Sequence, residues 1–194
     1  EFIISSTGAL DLQKLPKKVA VIGGGYIGLE LGCALSRLGA EVTIIEGMDS
    51  VLAIMDKEIR RPVEIWLKKH KVVVHTQAMA KGAVVKGKGK SRKVHMTFEK
   101  NDEEQTIVVD KVLVTVGRRP NTKGCGLENM GVRMDSSGRF IRIDDKCQTS
   151  VPGIYAIGDV AGDPMLAHKA SAQGEMVAEV ISGEKRIFDK VAIP

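Results

Sequence analysis

The sequence predicts an α/β fold in which a parallel sheet is joined to a three-stranded antiparallel meander. Three short apolar runs rich in β-branched residues, 19–22, 40–45 and 72–74, are separated by stretches of helical period. This alternation is typical of parallel strands linked by right-handed crossovers. Between residues 83 and 109 the pattern changes to an alternation of apolar and polar residues, which indicates antiparallel strands.

The first elements of the parallel unit follow one another directly. Residues 1–16 are predicted to be a lead-in, and 19–22 to be the first strand. We expect a helix over 25–38, because leucine and alanine recur there at helical spacing and Gly39 suits the C′ position that ends a helix. The run 40–45 is then the second strand.

A second helix and a third strand complete this unit. Asp56 is the expected N-cap of a helix that runs toward His70. Pro62 lies inside that pattern and has no N–H, so we expect the helix to kink at Pro62 or to begin there. With the strand 72–74, the order becomes β-α-β-α-β, which is a mononucleotide-binding unit.

The change to an alternating pattern of apolar and polar residues predicts the strands of the meander, and one further strand follows them. The antiparallel strands are expected at 83–86, 94–98 and 106–109, with turns rich in glycine, lysine, asparagine and aspartate. Residues 112–116 are apolar apart from one threonine, as suits a strand that is covered on both faces. We therefore expect 112–116 to rejoin the parallel sheet.

The last third of the chain is predicted to be part of a second domain. A strand is expected at 140–143, and a buried strand at 153–159 ends in the acid Asp159. A helix is predicted over 166–181, and Gly183 should end it.

Composition and cysteine spacing limit the classes of protein. The 194 residues are 43% hydrophobic, and no apolar run approaches the length of a membrane span. The amino terminus has no signal pattern and resembles the middle of a longer chain, so an upstream segment is expected. Cys33, Cys125 and Cys147 have no metal-binding or disulfide spacing. We expect no metal site and a reducing compartment, either the cytoplasm or the mitochondrial matrix.

The net charge of +5 raises nucleic acid and anionic membranes as possible partners. The basic residues concentrate in 86–93, between two predicted strands and without interleaved aromatic residues. A solvated hairpin tip explains this run better than a binding patch, so neither nucleic acid nor membrane is expected as a partner.

Residues 23–28 form a Gly-x-Gly-x-x-Gly motif between a strand and a helix. Gly23 permits a sharp turn, Gly25 lets a pyrophosphate approach the backbone, and Gly28 lets the helix pack closely on the strand. The N–H groups at the start of the helix then face the diphosphate. This context predicts a dinucleotide site in a Rossmann-like sheet.

Glu46 follows the second strand, about twenty residues beyond the glycines, where an acid accepts hydrogen bonds from the adenosine ribose hydroxyls. Its charge would repel a 2′-phosphate, and no arginine follows it in 47–49. The sequence therefore predicts NAD rather than NADP.

Four segments resemble the flavin-dependent pyridine nucleotide-disulfide oxidoreductases, and within them the dihydrolipoamide dehydrogenases. They are residues 21–32, 116–122, 154–160 and 165–170. The first and third are shared across the superfamily, whereas Leu-Ala-His-Lys-Ala in the fourth is more particular to the dihydrolipoamide dehydrogenases. The resemblance covers nearly the whole chain.

The resemblance implies two sets of cofactor-binding residues. NAD would be held by Gly23, Gly24, Gly25, Tyr26, Ile27, Gly28, Glu30, Glu46, Ala80 and Gly117. FAD would be held by Asp159, Met165, Leu166, Ala167 and His168. Glu30 is expected in the first helical turn, facing the nicotinamide, and backbone N–H groups at the start of the last helix would stabilise negative charge on the reduced flavin.

The resemblance also implies domains and an activity. Residues 1–118 would be the NAD-binding domain, and 119–194 a central segment that completes the FAD-binding domain. The family oxidises dihydrolipoamide through a redox-active cysteine pair and FAD, and reduces NAD to NADH. It forms homodimers and works on the lipoyl domains of 2-oxoacid dehydrogenase complexes. The chain has neither a C-x-x-x-x-C pair nor the His-Glu base motif, so we expect no catalytic residue in it and no lipoamide turnover by it alone.

Two other functions remain open at this point. Another disulfide reductase of the same family would share these segments, because its substrate is chosen by parts outside them. A stand-alone NAD(H)-binding module that acts as a redox sensor would need the glycine motif and Glu46, but it gives no role to Asp159 or to residues 165–168.

Overall fold

The structure is a computed structural model that describes residues 1–189, so the last five residues of the predicted segment 119–194 lie outside the described residues. The chain divides into two compact units. Unit 1 is Glu1–Gly117, and unit 2 begins at Arg118.

Within the described residues, unit 1 contains eight strands and three α-helices, and unit 2 contains one α-helix. The strands are β1 (Ile3–Ile4), β2 (Lys18–Ile22), β3 (Glu41–Ile45), β4 (Val73–His75), β5 (Ala78–Lys86), β6 (Lys93–Lys100), β7 (Glu103–Val109) and β8 (Lys111–Val114). The helices are α1 (Ser6–Leu10), α2 (Tyr26–Arg37), α3 (Lys57–Lys69) and α4 (Ala167–Ile181).

Two sheets make up unit 1. A parallel sheet has the strand order β1-β8-β2-β3-β4, and an antiparallel meander has the order β5-β6-β7. The predicted α/β class, with a Rossmann-like parallel sheet and a three-stranded meander, is therefore confirmed. The return of the chain to the parallel sheet through β8 is also confirmed.

The amino-terminal segment, predicted to be a lead-in, is part of the sheet instead. β1 pairs in parallel with β8, and Ser5 caps α1 by accepting the N–H of Gly8. A strand of two residues is too short for an alternating pattern to be visible in the sequence, which is why the prediction was wrong.

The helix ends follow the capping residues. Gly39 ends α2 and Gly183 ends α4 as predicted, with φ of +106° and +101°. Asp56 is the N-cap of α3, and its carbonyl oxygen accepts the N–H of Arg60. The helix therefore begins at Lys57 and continues past Pro62 to Lys69. The expectation that it begins at Pro62 is wrong.

The residues of β2 alternate between two hydrophobic cores. Val19 and Val21 belong to the core that includes Leu67 of α3, and both valines are at most 1% exposed. Ala20 belongs to the other core, with Phe98 of the meander. Because β2 is covered on both faces, its carboxyl end is held in a fixed position for the turn that follows.

Unit 2 has little regular structure ahead of α4. The strands predicted at 140–143 and 153–159 are wrong, because these stretches make only the isolated bridges Met134–Ile141 and Gln148–Tyr155. A strand needs a continuous ladder of partners, and the described residues offer these stretches none. The predicted helix is confirmed as α4. No helix in residues 1–189 is long and apolar enough to cross a membrane.

Candidate dinucleotide-binding site

The glycine-rich turn lies at the carboxyl end of β2, beside the carboxyl ends of β3 and β8. Gly23 has φ +101° and donates its N–H to the carbonyl oxygen of Ile45 over 2.9 Å. A Cβ on Gly23 would lie 2.6 Å from the Thr115 carbonyl oxygen. Both the left-handed conformation and the close neighbour therefore require glycine at this position. This edge of a parallel sheet is where such folds bind ligands.

Gly28 fixes the separation between α2 and the turn. A Cβ on Gly28 would lie 2.1 Å from the carbonyl oxygen of Gly23 and 2.6 Å from Thr115 Oγ1. Thr115 Oγ1 in turn donates to the carbonyl oxygens of Ile22 and Gly23. Thr115 was not predicted to be part of the site. The only feature of the sequence that could have indicated it is a hydroxyl-bearing residue within an otherwise apolar strand pattern.

The start of α2 presents backbone N–H groups that no side chain caps. Gly25 is the N-cap, with an extended backbone (φ −75°, ψ 178°) and no side-chain cap. The position that a Gly25 Cβ would take has nothing within 4 Å. Tyr26 and Ile27 begin the helix, and Tyr26 is 42% exposed. Open space in front of uncapped donors suits a phosphate group.

Glu46 lies just beyond β3 and faces the glycine turn. Its Oε2 accepts the N–H of Gly24 over 2.5 Å, and its Oε1 accepts the N–H of Met48 over 2.7 Å. A carboxylate has about four lone-pair sites, so it can accept further hydrogen bonds from ribose hydroxyls. The structure thus brings the predicted acid and the predicted glycines together.

Three other residues were predicted to bind NAD, and each lies in or after a different element of unit 1. Gly117 is exposed beyond β8, with φ +119° and open space beside it. Ala80 lies in β5 and packs against the core of the meander, two residues beyond the point where Ala78 donates its N–H to the Glu46 carbonyl oxygen. Glu30 is exposed in the second turn of α2, so its expected place in the first turn is wrong.

Asp159 in unit 2 is half-buried and forms an ion pair. It lies in a 3₁₀ helix over Gly158–Ala161, where Arg118 Nη2 donates to its Oδ2 over 2.9 Å. Gln173 of α4 is 2% exposed and accepts the N–H of Gly158 over 2.7 Å. Neither Arg118 nor Gln173 was predicted, because the contacts that define them join distant parts of the sequence.

The start of α4 resembles the start of α2 in having no side-chain cap. Leu166 is the N-cap, and Ala167 and His168 are exposed in the first turn. Met165 precedes them and is half-buried. Lys169 is 3% exposed, and its Nζ donates to the carbonyl oxygen of Gly162. The exposed helix start could therefore offer backbone donors to a ligand, as it would for the predicted flavin.

Cys33, His70 and His75 make packing contacts in the described residues. Cys33 packs against the core, where burial raises the pKa of its thiol above the usual value. Burial also lowers the pKa of His75, and the neighbouring Lys100 adds to this effect. His70 stacks on Trp66 with 3.9 Å between ring centroids. Residues 1–189 contain no group of three or more side chains placed to hold a metal ion.

The chain is similar in sequence to bacterial dihydrolipoyl dehydrogenases. It is 50% identical over 192 residues to that of Geobacillus stearothermophilus, which covers 99% of this chain and 40% of the relative. It is 48% identical over 195 residues to that of Bacillus subtilis, with 100% and 40% covered. The chain thus spans 40% of the length of these curated relatives.

Two solved structures have a similar arrangement of elements. LpdA from Mycobacterium tuberculosis superimposes with a TM-score of 0.84 and 30% identity, covering 97% of this chain and 40% of that one. The HOCl-induced flavoprotein disulfide reductase RclA from Escherichia coli gives a TM-score of 0.82 and 25% identity, with 95% and 41% covered. The sequence profile of the pyridine nucleotide-disulphide oxidoreductases matches residues 1–174, and this chain therefore belongs to that family.

Proposed function

We propose that this chain is the NAD-binding portion of a dihydrolipoamide dehydrogenase. In that enzyme dihydrolipoamide is oxidised through a redox-active disulfide and FAD, and NAD is reduced to NADH. The observation that carries the proposal is the geometry around Gly24, where an uncapped helix start and the Glu46 carboxylate meet at one turn. Relatives 50% and 48% identical to this chain support the choice of dihydrolipoamide dehydrogenase.

Unit 1 would bind NAD as the proposed NAD-binding domain. The N–H groups at the start of α2 would hold the pyrophosphate, and Gly25 would let it approach the backbone. Glu46 would accept hydrogen bonds from the adenosine ribose, and Gly117 and Ala80 would line the adenine side. Glu30, exposed one turn further along α2, would face the nicotinamide.

Unit 2 would complete the FAD-binding domain. We propose that Asp159 accepts a hydrogen bond from the ribityl chain, and that Met165, Leu166, Ala167 and His168 present backbone to the flavin ring. The flavin would supply the electron transfer between disulfide and NAD. The contribution of these residues is to orient it and to stabilise negative charge through the donors at the helix start.

The proposed partners and location follow from the relatives. A dihydrolipoamide dehydrogenase receives its substrate from the lipoyl domains of 2-oxoacid dehydrogenase complexes and acts as a homodimer, and the relatives named above are bacterial. We therefore propose this complex as the partner, a homodimer as the assembled state and the cytoplasm as the location.

A second candidate function is that of another disulfide reductase in the same family. The observation in its favour is that RclA, named a flavoprotein disulfide reductase, superimposes with a TM-score of 0.82. Its 25% identity is well below the 50% of the Geobacillus dihydrolipoyl dehydrogenase, so dihydrolipoamide remains the preferred substrate.

The proposal is tested by calorimetric titration of the purified chain with NADH and NADPH, repeated on Glu46→Gln. We expect NADH to bind more tightly than NADPH, because the Glu46 charge repels a 2′-phosphate. Loss of that charge should weaken NADH binding about tenfold, as is typical for a hydrogen bond to an ionised group. Equal binding of the two nucleotides, or no binding of either, would contradict the proposed role of unit 1.

A further inference from the structure

Residues 47–52, the loop that follows Glu46, contact Gly24 on more than one side. Leu52 donates its N–H to the Gly24 carbonyl oxygen over 2.9 Å. Val51 Cγ1 lies 2.9 Å from the position that a Gly24 Cβ would take. The N–H of Gly24 is bound by Glu46 itself. The 47–52 loop is therefore one wall of the glycine turn.

The backbone of this loop has a conformation that its surroundings must hold. Leu52 has φ +50°, in the left-handed region that a branched apolar residue rarely adopts. Such a conformation persists only where neighbouring contacts determine it. Val51, which is 2% exposed, anchors one side of the loop in the core.

Arg60 and Ser50 provide the anchor on the other side. Arg60, on the first turns of α3, donates from Nη1 to Ser50 Oγ, and Ser50 Oγ donates to Asp49 Oδ1 over 2.8 Å. Arg60 Nε is buried and has no hydrogen-bond partner among the described residues. A buried donor without a partner opposes folding, so the burial of this guanidinium costs stability.

We propose that Arg60 and Ser50 are positioning residues for the dinucleotide site. They tie the 47–52 loop to α3, so that Leu52 and Val51 stay against Gly24 and the Glu46 carboxylate stays aimed at the adenosine ribose. Neither residue is among those proposed to contact the dinucleotide. This inference rests on the proposed function, and it adds two residues that neither the glycine motif nor the acid after β3 would reveal.

The test compares Arg60→Met with Arg61→Met in this chain. Both variants remove one guanidinium from adjacent positions of α3. Arg61 is exposed and makes no side-chain hydrogen bond or ion pair within residues 1–189, so it controls for charge and helix propensity. Ser50→Ala is a second, smaller change that breaks the same link if Arg60→Met folds poorly.

We expect Arg60→Met and Ser50→Ala to weaken NADH binding about three- to thirtyfold, the range typical of residues that act on a site through others. The affinity for ADP-ribose should fall by the same factor, because ADP-ribose contains the adenosine ribose to which Glu46 is proposed to bind. The double variant should bind no more weakly than Arg60→Met alone, since both changes break one link. Arg60→Lys should restore part of the affinity, because its ammonium can still donate to Ser50 Oγ.

Hydrogen exchange distinguishes positioning from a general loss of stability. The Leu52 amide should exchange faster in Arg60→Met than in Arg61→Met, while the core amides of β2 stay protected in both. If Arg60→Met binds NADH as tightly as the wild type does, this inference is overturned and the proposed function stays intact. A wild-type chain that binds neither NADH nor ADP-ribose would overturn both. An equal rise in exchange across the core of unit 1 would overturn the positioning role alone.

Discussion

The Cα of Gly28 faces the carbonyl oxygen of Gly23 so closely that a Cβ on Gly28 would lie 2.1 Å from that oxygen. The neighbour is backbone at the end of β2, and it cannot rotate away as the end of a flexible side chain could. Thr115 Oγ1 closes the remaining space at 2.6 Å. The lack of a side chain at Gly28 therefore allows the start of α2 to pack directly against the turn.

Gly28→Ala should therefore displace the turn and weaken both folding and NADH binding. We expect a loss of about 1–3 kcal/mol in the free energy of unfolding, as for other overpacked sites. Gly32→Ala is the matched control one turn along α2. A Cβ on Gly32 meets Val21 Cγ2 and Val42 Cγ1 at an ordinary 3.6 Å.

Because alanine favours a helix interior by about 0.5–1 kcal/mol over glycine, Gly32→Ala should keep or raise stability. Chemical denaturation and NADH titration of the two variants make the comparison. If Gly28→Ala equals Gly32→Ala in stability and in NADH binding, the turn relaxes easily to accept the Cβ, and the prediction is contradicted.

Asp110 joins β7 to β8 and makes stability depend on pH. Its Oδ2 accepts the N–H groups of Lys17 and Lys18 over 3.0 and 2.8 Å, and its Oδ1 accepts a hydrogen bond from Lys93 Nζ. Burial tends to raise the pKa of Asp110, but the hydrogen bonds and charge of Lys93 and the two N–H groups outweigh it and lower the pKa below 3.8.

A lowered pKa means that the folded state binds fewer protons than the unfolded chain. The stabilisation from Asp110 is therefore complete above the ordinary aspartate pKa and is lost as pH falls through the folded pKa, below about pH 4. Asp110→Asn should cost about 1–3 kcal/mol at pH 7 and should reduce the steepness of acid unfolding.

Glu41→Gln is the control for the Asp110 prediction, because Glu41 pairs with Lys18 at an exposed site. It should change stability by no more than about 1 kcal/mol. Thermal melts of the three proteins between about pH 2.5 and 7, a range that includes the expected loss below about pH 4, supply the measurement. Parallel acid profiles for wild type and Asp110→Asn would refute the role of this carboxylate.

Gln173 should stabilise the loop that carries Asp159. Its side chain is 2% exposed and accepts the N–H of Gly158, next to Asp159. Gln173→Ala leaves that buried N–H without a partner and should destabilise unit 2 by about 1–3 kcal/mol. Ser171→Ala, on the exposed face of the same helix, should have little effect. Amide exchange of α4 in the two variants tests the difference, and equal exchange would contradict it.

Local patterns explain which parts of unit 1 the sequence predicted. The strands at 19–22 and 40–45, the glycine turn and the caps at Gly39 and Asp56 depend on residues close together in the chain. The structure places each of them within a residue or two of the predicted position. The two-residue β1 was missed because its only support is pairing with a strand more than 100 residues away.

The rest of the site depends on contacts that no local pattern encodes. Thr115 reaches Gly23 across 92 positions in the sequence, and Arg118 reaches Asp159 across 41. In unit 2 the apolar runs at 140–143 and 153–159 have the composition of strands. They remain irregular because strand formation is decided by partners rather than by composition. The roles of the individual site residues in binding remain predictions.

The measurement that tests the central claim most directly is a residue-resolved NMR titration of the chain with NADH. If unit 1 is the NAD-binding domain, saturable shifts should appear first at the backbone amides of residues 23–28, at Glu46 and at Gly117. The amides of the basic hairpin tip, 86–93, should stay still and serve as the internal control. Shifts confined to that basic tip, or spread evenly over the chain without saturation, would contradict the account.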